Sequence, residues 1–360
     1  MNLFKKDISN FSQGAFGLDL SDLSVKVIQL KGDGNEIKLK SYGSAAIPLG
    51  SISDGEIIKK ENVVVSIKKA IEKAEPEKIR SKKVICSLPE TKGFLRIINL
   101  PKMEEEEIRE AIKWEIEANI PLSLDQVCYD WQLLDKIFAK ENDKISVLVV
   151  AVSRKTVNQF LEVMELSGLE PIGLEIESIA QARSLIGKKE EKKTILIIDV
   201  GDRRTSFLIL LDGVPCFTAS IPLSAQSITD GISKSLNISL AEAEKKKFEF
   251  GIGSIAKKDP IFKAVEPILE NMVSEIEKSM NFYLESLQYS SAINEVIICG
   301  GGANIKGLIA YLSKKINKEI AMGNPWVNFH REEKNLPLIE KNKSVKFSTA
   351  IGLALKGLDI

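Results

Sequence analysis

Two carboxylates keep similar company at two places in the chain. In "FGLDLSDLSVKVIQL" (16–30) and "LIIDVGDRRTSFLIL" (196–210) an apolar run of strand length ends on an acid, Asp19 or Asp199, crosses a short polar turn and becomes apolar again. A small residue stands two places after each acid (Ser21, Gly201), and hydroxyls mark each turn: Ser21 and Ser24 in the first, Thr205 and Ser206 in the second. Lys26 adds one ammonium to the first hairpin. Turn N–H groups, hydroxyls and a cation are the donors that phosphate oxygens accept from, so both segments read as phosphate-facing hairpins. The rival reading is an ordinary turn, because Asp bonds its own backbone and Gly tolerates positive φ.

A third element carries the same chemistry. "NEVIICGGGANIKGL" (294–308) reads as an apolar strand, the triple glycine Gly300, Gly301 and Gly302, and then a helical pattern with Leu308, Tyr311, Leu312 and Ile316 on one face. A glycine turn ahead of a helix offers backbone N–H groups to an anion and leaves room for a nucleotide to approach. It lacks the G-x-G-x-x-G spacing of dinucleotide folds and the Lys-Ser/Thr of a P-loop. Between these elements "ISLAEAEKKKFEFG" (238–251) reads as a charged helix, with Glu244 and Lys247 three apart on neighbouring positions.

The elements that must position these residues come from the rest of the chain. Asp19 and Asp199 stand 180 residues apart in a chain of 360, which predicts two related lobes rather than a solenoid. Residues 94–170 read as an inserted α+β module: a strand ending at Pro101, a helix led by Glu104 to Glu107, a strand over "ISVLVVAV" and a second amphipathic helix. The first lobe is expected over 1–93 with 171–190 and a C-terminal helix near 345–360. The second is expected over 191–344, with a helical subdomain near 231–285. The charged stretch "GKKEEKK" (187–193) marks the boundary.

Composition excludes several classes. Lys plus Arg (50) balance Asp plus Glu (50), so no basic field recruits nucleic acid. The apolar runs are far shorter than the roughly 20 residues of a membrane span, and no apolar h-region follows the N-terminal basic pair. A cytoplasmic protein is expected. Cys86, Cys128, Cys216 and Cys299 are widely spaced and read as free thiols, and the single histidine, His330, has no second metal-ligating neighbour.

Taken in order, the two hairpins, the glycine loop and the tail "SVKFSTAIGLALKGL" (344–358) resemble the actin-like ATPase superfamily over nearly the whole chain. The inserted module, the helix "AIKWEIEANIPL" (111–122) and Lys26 seven residues after Asp19 are similar to its FtsA/PilM branch, and most of all to the type IV pilus assembly PilM family. The resemblance implies an α/β fold of two RNase H-like lobes with an inserted FtsA/PilM-type subdomain. It assigns Asp19, Ser21, Ser24, Lys26, Asp199, Gly201 and Thr205 to phosphate and Mg²⁺, and Glu244, Lys247, Gly300, Gly301, Gly302 and Asn304 to adenosine. ATP or ADP with Mg²⁺ is the implied cofactor, the two aspartates holding the ion through its water shell. Ser21 departs from the glycine often found in relatives, and its Cβ is expected to loosen the first turn by resisting positive φ. No residue that positions an attacking water is evident, so at most weak ATP turnover is expected.

The implied role is an adaptor at the inner-membrane platform of a type IV pilus or a related type II secretion system. Its partners would be the cytoplasmic N-terminal segment of PilN, bound near the inserted module, and the pilus motor ATPases. Membrane attachment is expected only through partners, since the tail "LALKGLDI" adds no basic amphipathic segment; a homo-oligomer fits as well. Two other functions remain open at this point: an FtsA-like filament protein of cell division, and a small-molecule kinase on the same fold.

Overall fold

The computed structural model describes residues 14–32, 37–134, 144–187, 193–253, 259–285, 292–329 and 339–358. Most of the charged boundary stretch (188–192) and His330 lie outside the described residues. The chain divides into two units: Met1–Arg183 with Phe329–Leu336 and Thr349–Ile360, and Ser184–Asn328 with Pro337–Ser348.

In the first unit the strands are β1 (Phe16–Leu20), β2 (Ser24–Lys31), β3 (Lys38–Ala46), the short pair β4 (Ile52–Ser53) and β5 (Glu56–Ile57), β6 (Glu75–Pro76), β7 (Lys83–Leu88), β8 (Gly93–Pro101), β9 (Val127–Leu133), β10 (Lys144–Ser153) and β11 (Glu170–Ile176). Its helices are α1 (Lys60–Glu72), α2 (Glu105–Asn119), α3 (Arg154–Leu166) and α4 (Glu177–Leu185). The main sheet runs β11-β7-β1-β2-β3-β6. Its centre combines the antiparallel meander β1–β2–β3 with β7 and β11 parallel to β1. All five residues of β1 are buried, Asp19 included, so burial is continuous rather than alternating, as in a strand covered on both faces.

A separate three-stranded sheet, β8-β10-β9, carries α2. Ile108, Ile112 and Ile116 recur every four residues along α2 and pack on Leu100, Val147, Val149 and Ala151. The acids that lead this helix belong to its cap: the Glu104 N–H donates to Glu107 at 3.0 Å. Helix α3 starts on a Ser153 cap and is tied back to the main sheet's side by Lys60 to Glu162 at 2.7 Å.

The second unit holds β12 (Thr194–Val200), β13 (Thr205–Leu211), β14 (Val214–Ile221), β15 (Glu295–Cys299) and β16 (Ile320–Met322), with α5 (Ala225–Leu236), α6 (Leu240–Phe250), α7 (Pro260–Glu285), α8 (Leu308–Ile316) and the short α9 (Lys341–Ser344). Its sheet runs β14-β13-β12-β15-β16: again an antiparallel meander of three strands, then two strands parallel to the first. Both sheets therefore follow one topology, with β1 and β12 in the same place. The last helix, α10 (Ser348–Lys356), is almost wholly buried. Gly352 lets it lie against α4, where a Cβ would fall 1.7 Å from the Ala180 carbonyl oxygen.

Candidate functional site

Asp19 sits on the last turn-ward positions of β1, directly opposite Lys26 of β2. Only 5% of it is exposed, and Lys26 Nζ meets its Oδ2 at 2.9 Å. Its other oxygen accepts from the Ser87 hydroxyl at 3.4 Å, while Ser87 Oγ takes the Leu20 N–H at 3.0 Å. The turn is closed by Ser21 N–H to the Ser24 carbonyl at 3.0 Å, with the two serine hydroxyls 3.0 Å apart. Ser21 is not among the positive-φ residues, so its Cβ strains nothing. The loosened first turn expected from the sequence is corrected: Ser21 makes the same turn bond that Gly201 makes in the second hairpin, N–H to the Arg204 carbonyl at 2.9 Å.

The carboxyl edge of the three parallel strands β1, β7 and β11 gathers more than sequence reading found. Ser87, next to last in β7, stands beside Asp19, and Glu177 opens α4 immediately after β11. Burial, and after it the carboxylates of Asp19 and Glu177, push the Cys86 thiol well above its ordinary range. Ser87 comes from a strand 68 residues away, so nothing local in the sequence signalled it.

In the second unit Asp199 is half-buried and stands opposite Ser206. It adjoins the glycine loop. At Gly300, with φ of +82°, a Cβ would lie 2.1 Å from Asp199 Oδ1, and at Gly302 it would lie 2.3 Å from a Val200 methyl. Gly301 differs: it is exposed, and a Cβ there would meet only Asp202 Oδ1, at 3.8 Å. Asp202, not singled out from the sequence, thus lies beside the loop. Residues Gly301–Asn304 form one 3₁₀ turn with Asn304 exposed, so α8 starts at Leu308. Burial, with the neighbouring Asp199 carboxylate, holds the Cys299 thiol well above its ordinary range. Cys86, Cys216 and Cys299 are buried free thiols; Cys128 is half-buried and free.

Thr205 turns inward, its hydroxyl donating to the Leu223 carbonyl at 2.7 Å. The N-terminus of α5 docks on the same turn, through Ala225 N–H to Gly201 and Gln226 N–H to Asp202. Helix α6 then packs on α5. Lys247 is buried and donates to Glu244 at 2.8 Å, Thr229 Oγ1 at 2.8 Å and the Ala225 carbonyl at 3.1 Å, which uses all three of its N–H donors. Glu244 keeps 39% of its side chain exposed and also accepts from Thr229. The end of α6 is sewn to the glycine loop by Ile252 N–H to the Lys306 carbonyl at 3.0 Å. The second hairpin, α6 and the glycine loop are thus one connected cluster, and Thr229 is the member that sequence reading missed.

The donor chemistry fits a magnesium nucleotide. The carboxylate of Asp19 in the first unit and that of Asp199 in the second are each of the hard-oxygen type that a hydrated Mg²⁺ takes, and Gly301 presents bare backbone at an exposed position of the loop.

Two sheets of one topology, each opening on an acid-ended hairpin, and a glycine loop against the second define an actin-like ATPase fold. A structure of MreB5 of Spiroplasma citri bound to AMPPNP aligns with this chain at a TM-score of 0.52 and 17% identity, covering 94% of each chain. The PilM-PilN type IV pilus biogenesis complex aligns at a TM-score of 0.82 and 26% identity, covering 96% of this chain and 98% of that one. Cell division protein FtsA of Bacillus subtilis (strain 168) is 21% identical over 348 residues, which covers 86% of this chain and 78% of that protein. The model of the type IV pilus assembly protein PilM family matches residues 17–358, and the chain belongs to that family. No described helix is long and apolar enough to cross a membrane.

Proposed function

We propose that the chain is a Mg-ATP-binding, cytoplasmic scaffold of the pilus inner-membrane platform, or of a related secretion platform, that takes up the N-terminal segment of PilN and meets the motor ATPases. The nucleotide reading is carried by one observation: the acid-ended hairpin occurs twice at matching register, and the second copy abuts a glycine loop in which Gly300 and Gly302 have no room for a Cβ. In this reading Asp19 and Asp199 hold the hydrated ion, Ser21, Ser24, Lys26 and Gly201 meet phosphate, and Glu244 with the loop Gly300–Asn304 meets adenosine. Lys26 would exchange its bond to Asp19 for phosphate oxygens. Lys247 holds Glu244 in place and Thr205 holds the turn, because their donors are already committed. Bound Mg²⁺ would neutralise the phosphate charge that these residues orient.

The partner reading is supported by the likeness of this chain, over 96% of its length, to the PilM-PilN type IV pilus biogenesis complex. The test is calorimetric titration with a synthetic peptide of the PilN N-terminal segment, with and without Mg-ATP. Saturable binding is expected, and no binding at tens of micromolar would contradict the partner assignment.

A further inference from the structure

Helix α6 carries a large apolar ring that its own packing leaves bare. Ala243 and Lys247 form its buried side, on α5, while Phe248 is 72% exposed. Phe248 stands one turn beyond the half-exposed Glu244 on the same side of the helix, a rise of about 6 Å. The Lys247 ammonium, bonded to Glu244 at 2.8 Å, also lies 5.7 Å from the centre of the Phe248 ring, and so holds the ring beside that carboxylate.

Leu240 stands one turn from Glu244 in the other direction and is also exposed, and the glycine loop tells the two apart. The last turn of α6 is fixed to the end of that loop. Ile252 N–H donates to the Lys306 carbonyl at 3.0 Å, and Lys306 Nζ donates back to the Glu249 carbonyl at 2.9 Å. A Cβ at Gly251 would fall 2.1 Å from the same Lys306 carbonyl oxygen, so only glycine permits the approach. Phe248 therefore lies at the loop end of α6, where Gly301 and Asn304 are exposed, and Leu240 at the far end. Phe250, two residues on, is turned to another side and has the Lys246 ammonium 5.8 Å from its ring centre.

We propose that Phe248 is the platform on which the nucleotide's base stacks, and that its ring makes the site prefer purine to pyrimidine nucleotides. The inference rests on the nucleotide reading above, in which Glu244 meets the adenosine moiety. With the ribose hydroxyls on Glu244, a base directed toward the loop passes over the next turn of α6, and the side chain there is Phe248. A phenyl ring accepts any base on its π-face, and the gain grows with the area of overlap, so a two-ring base is held better than a one-ring base. Stacking alone does not separate adenine from guanine.

The experiment is calorimetric titration of Mg-ATP, Mg-GTP and Mg-UTP into the full chain and into Phe248→Ala, Phe248→Trp and Leu240→Ala, with folding checked by thermal melts. Wild type is expected to bind both purine nucleotides more tightly than Mg-UTP. Phe248→Ala should weaken the purine nucleotides about tenfold or more and Mg-UTP much less. Phe248→Trp should retain wild-type affinity, and Leu240→Ala should behave as wild type. The indole added by Phe248→Trp should also change its emission with Mg-ATP but not with Mg-tripolyphosphate, which has no base to stack. Purine affinity unchanged in Phe248→Ala, an equal loss for Mg-UTP, or an equal loss in Leu240→Ala would overturn the proposal and leave the nucleotide reading standing. A wild type that binds no nucleotide would overturn both.

Discussion

Asp19 is a carboxylate with almost no access to water, and an anion in that position is stable only with a partner held in place. Lys26 is that partner, placed directly opposite by the β1–β2 register. Replacing it by Met leaves a buried charge uncompensated, and a loss of roughly 3–5 kcal/mol is expected, read from urea unfolding. A second buried carboxylate, Glu175, is held by Arg183 at 2.5 Å and Lys356 at 2.8 Å. Burial alone would raise its pKa; the two cations win and lower it to about 2. The unfolded chain therefore binds more protons in this range. The stability from Glu175 is complete above the ordinary carboxylate pKa of about 4.3 and is lost as pH falls toward 2. Thermal unfolding should show a loss over that window that Glu175→Gln largely removes, at the cost of lower stability at neutral pH.

At the scale of elements, the glycine loop separates residues that look alike in sequence. Gly300→Ala and Gly302→Ala should each destabilise the second unit and weaken nucleotide binding, because the added Cβ meets Asp199 or Val200 well inside contact distance. Gly301→Ala should change stability by no more than about 0.5 kcal/mol; an equal loss at all three positions in thermal melts would contradict this geometry. The hairpins and the loop were legible in the sequence because each is a short-range pattern of strand, turn residue and strand or helix. Ser87 was not, since it reaches Asp19 from a parallel neighbour far along the chain. Nor was the burial of Lys247: a run of charges at helical spacing reads as a solvated face, and only the packing of α6 on α5 brings Thr229 and the Ala225 carbonyl to its ammonium. Lys247→Met strands those acceptors and should cost about 1–3 kcal/mol, with weakened nucleotide affinity as Glu244 loses its support.

For the whole molecule, the repeat at half the chain length foretold two sheets of one topology, because an acid, a turn and flanking apolar runs must recur wherever the same hairpin is rebuilt. The meander of three strands followed by two parallel ones is present in both units, and Asp19 and Asp199 occupy the same strand-end position in each. The parallel additions to each sheet were less legible, since β7 and β15 are short apolar runs and β11 a mixed one, and their neighbours are set by chain connections rather than by local pattern. The claim that most depends on this duplication is that the two acids serve one magnesium nucleotide. Its direct measurement is calorimetric titration of Mg-ATP into the wild type and into Asp19→Ala/Asp199→Ala, with folding of both checked by thermal melts. Saturable binding by the wild type that falls at least a hundredfold in the folded double variant is the expected result. Equal affinity in the two proteins, or no binding by either, would contradict the assignment.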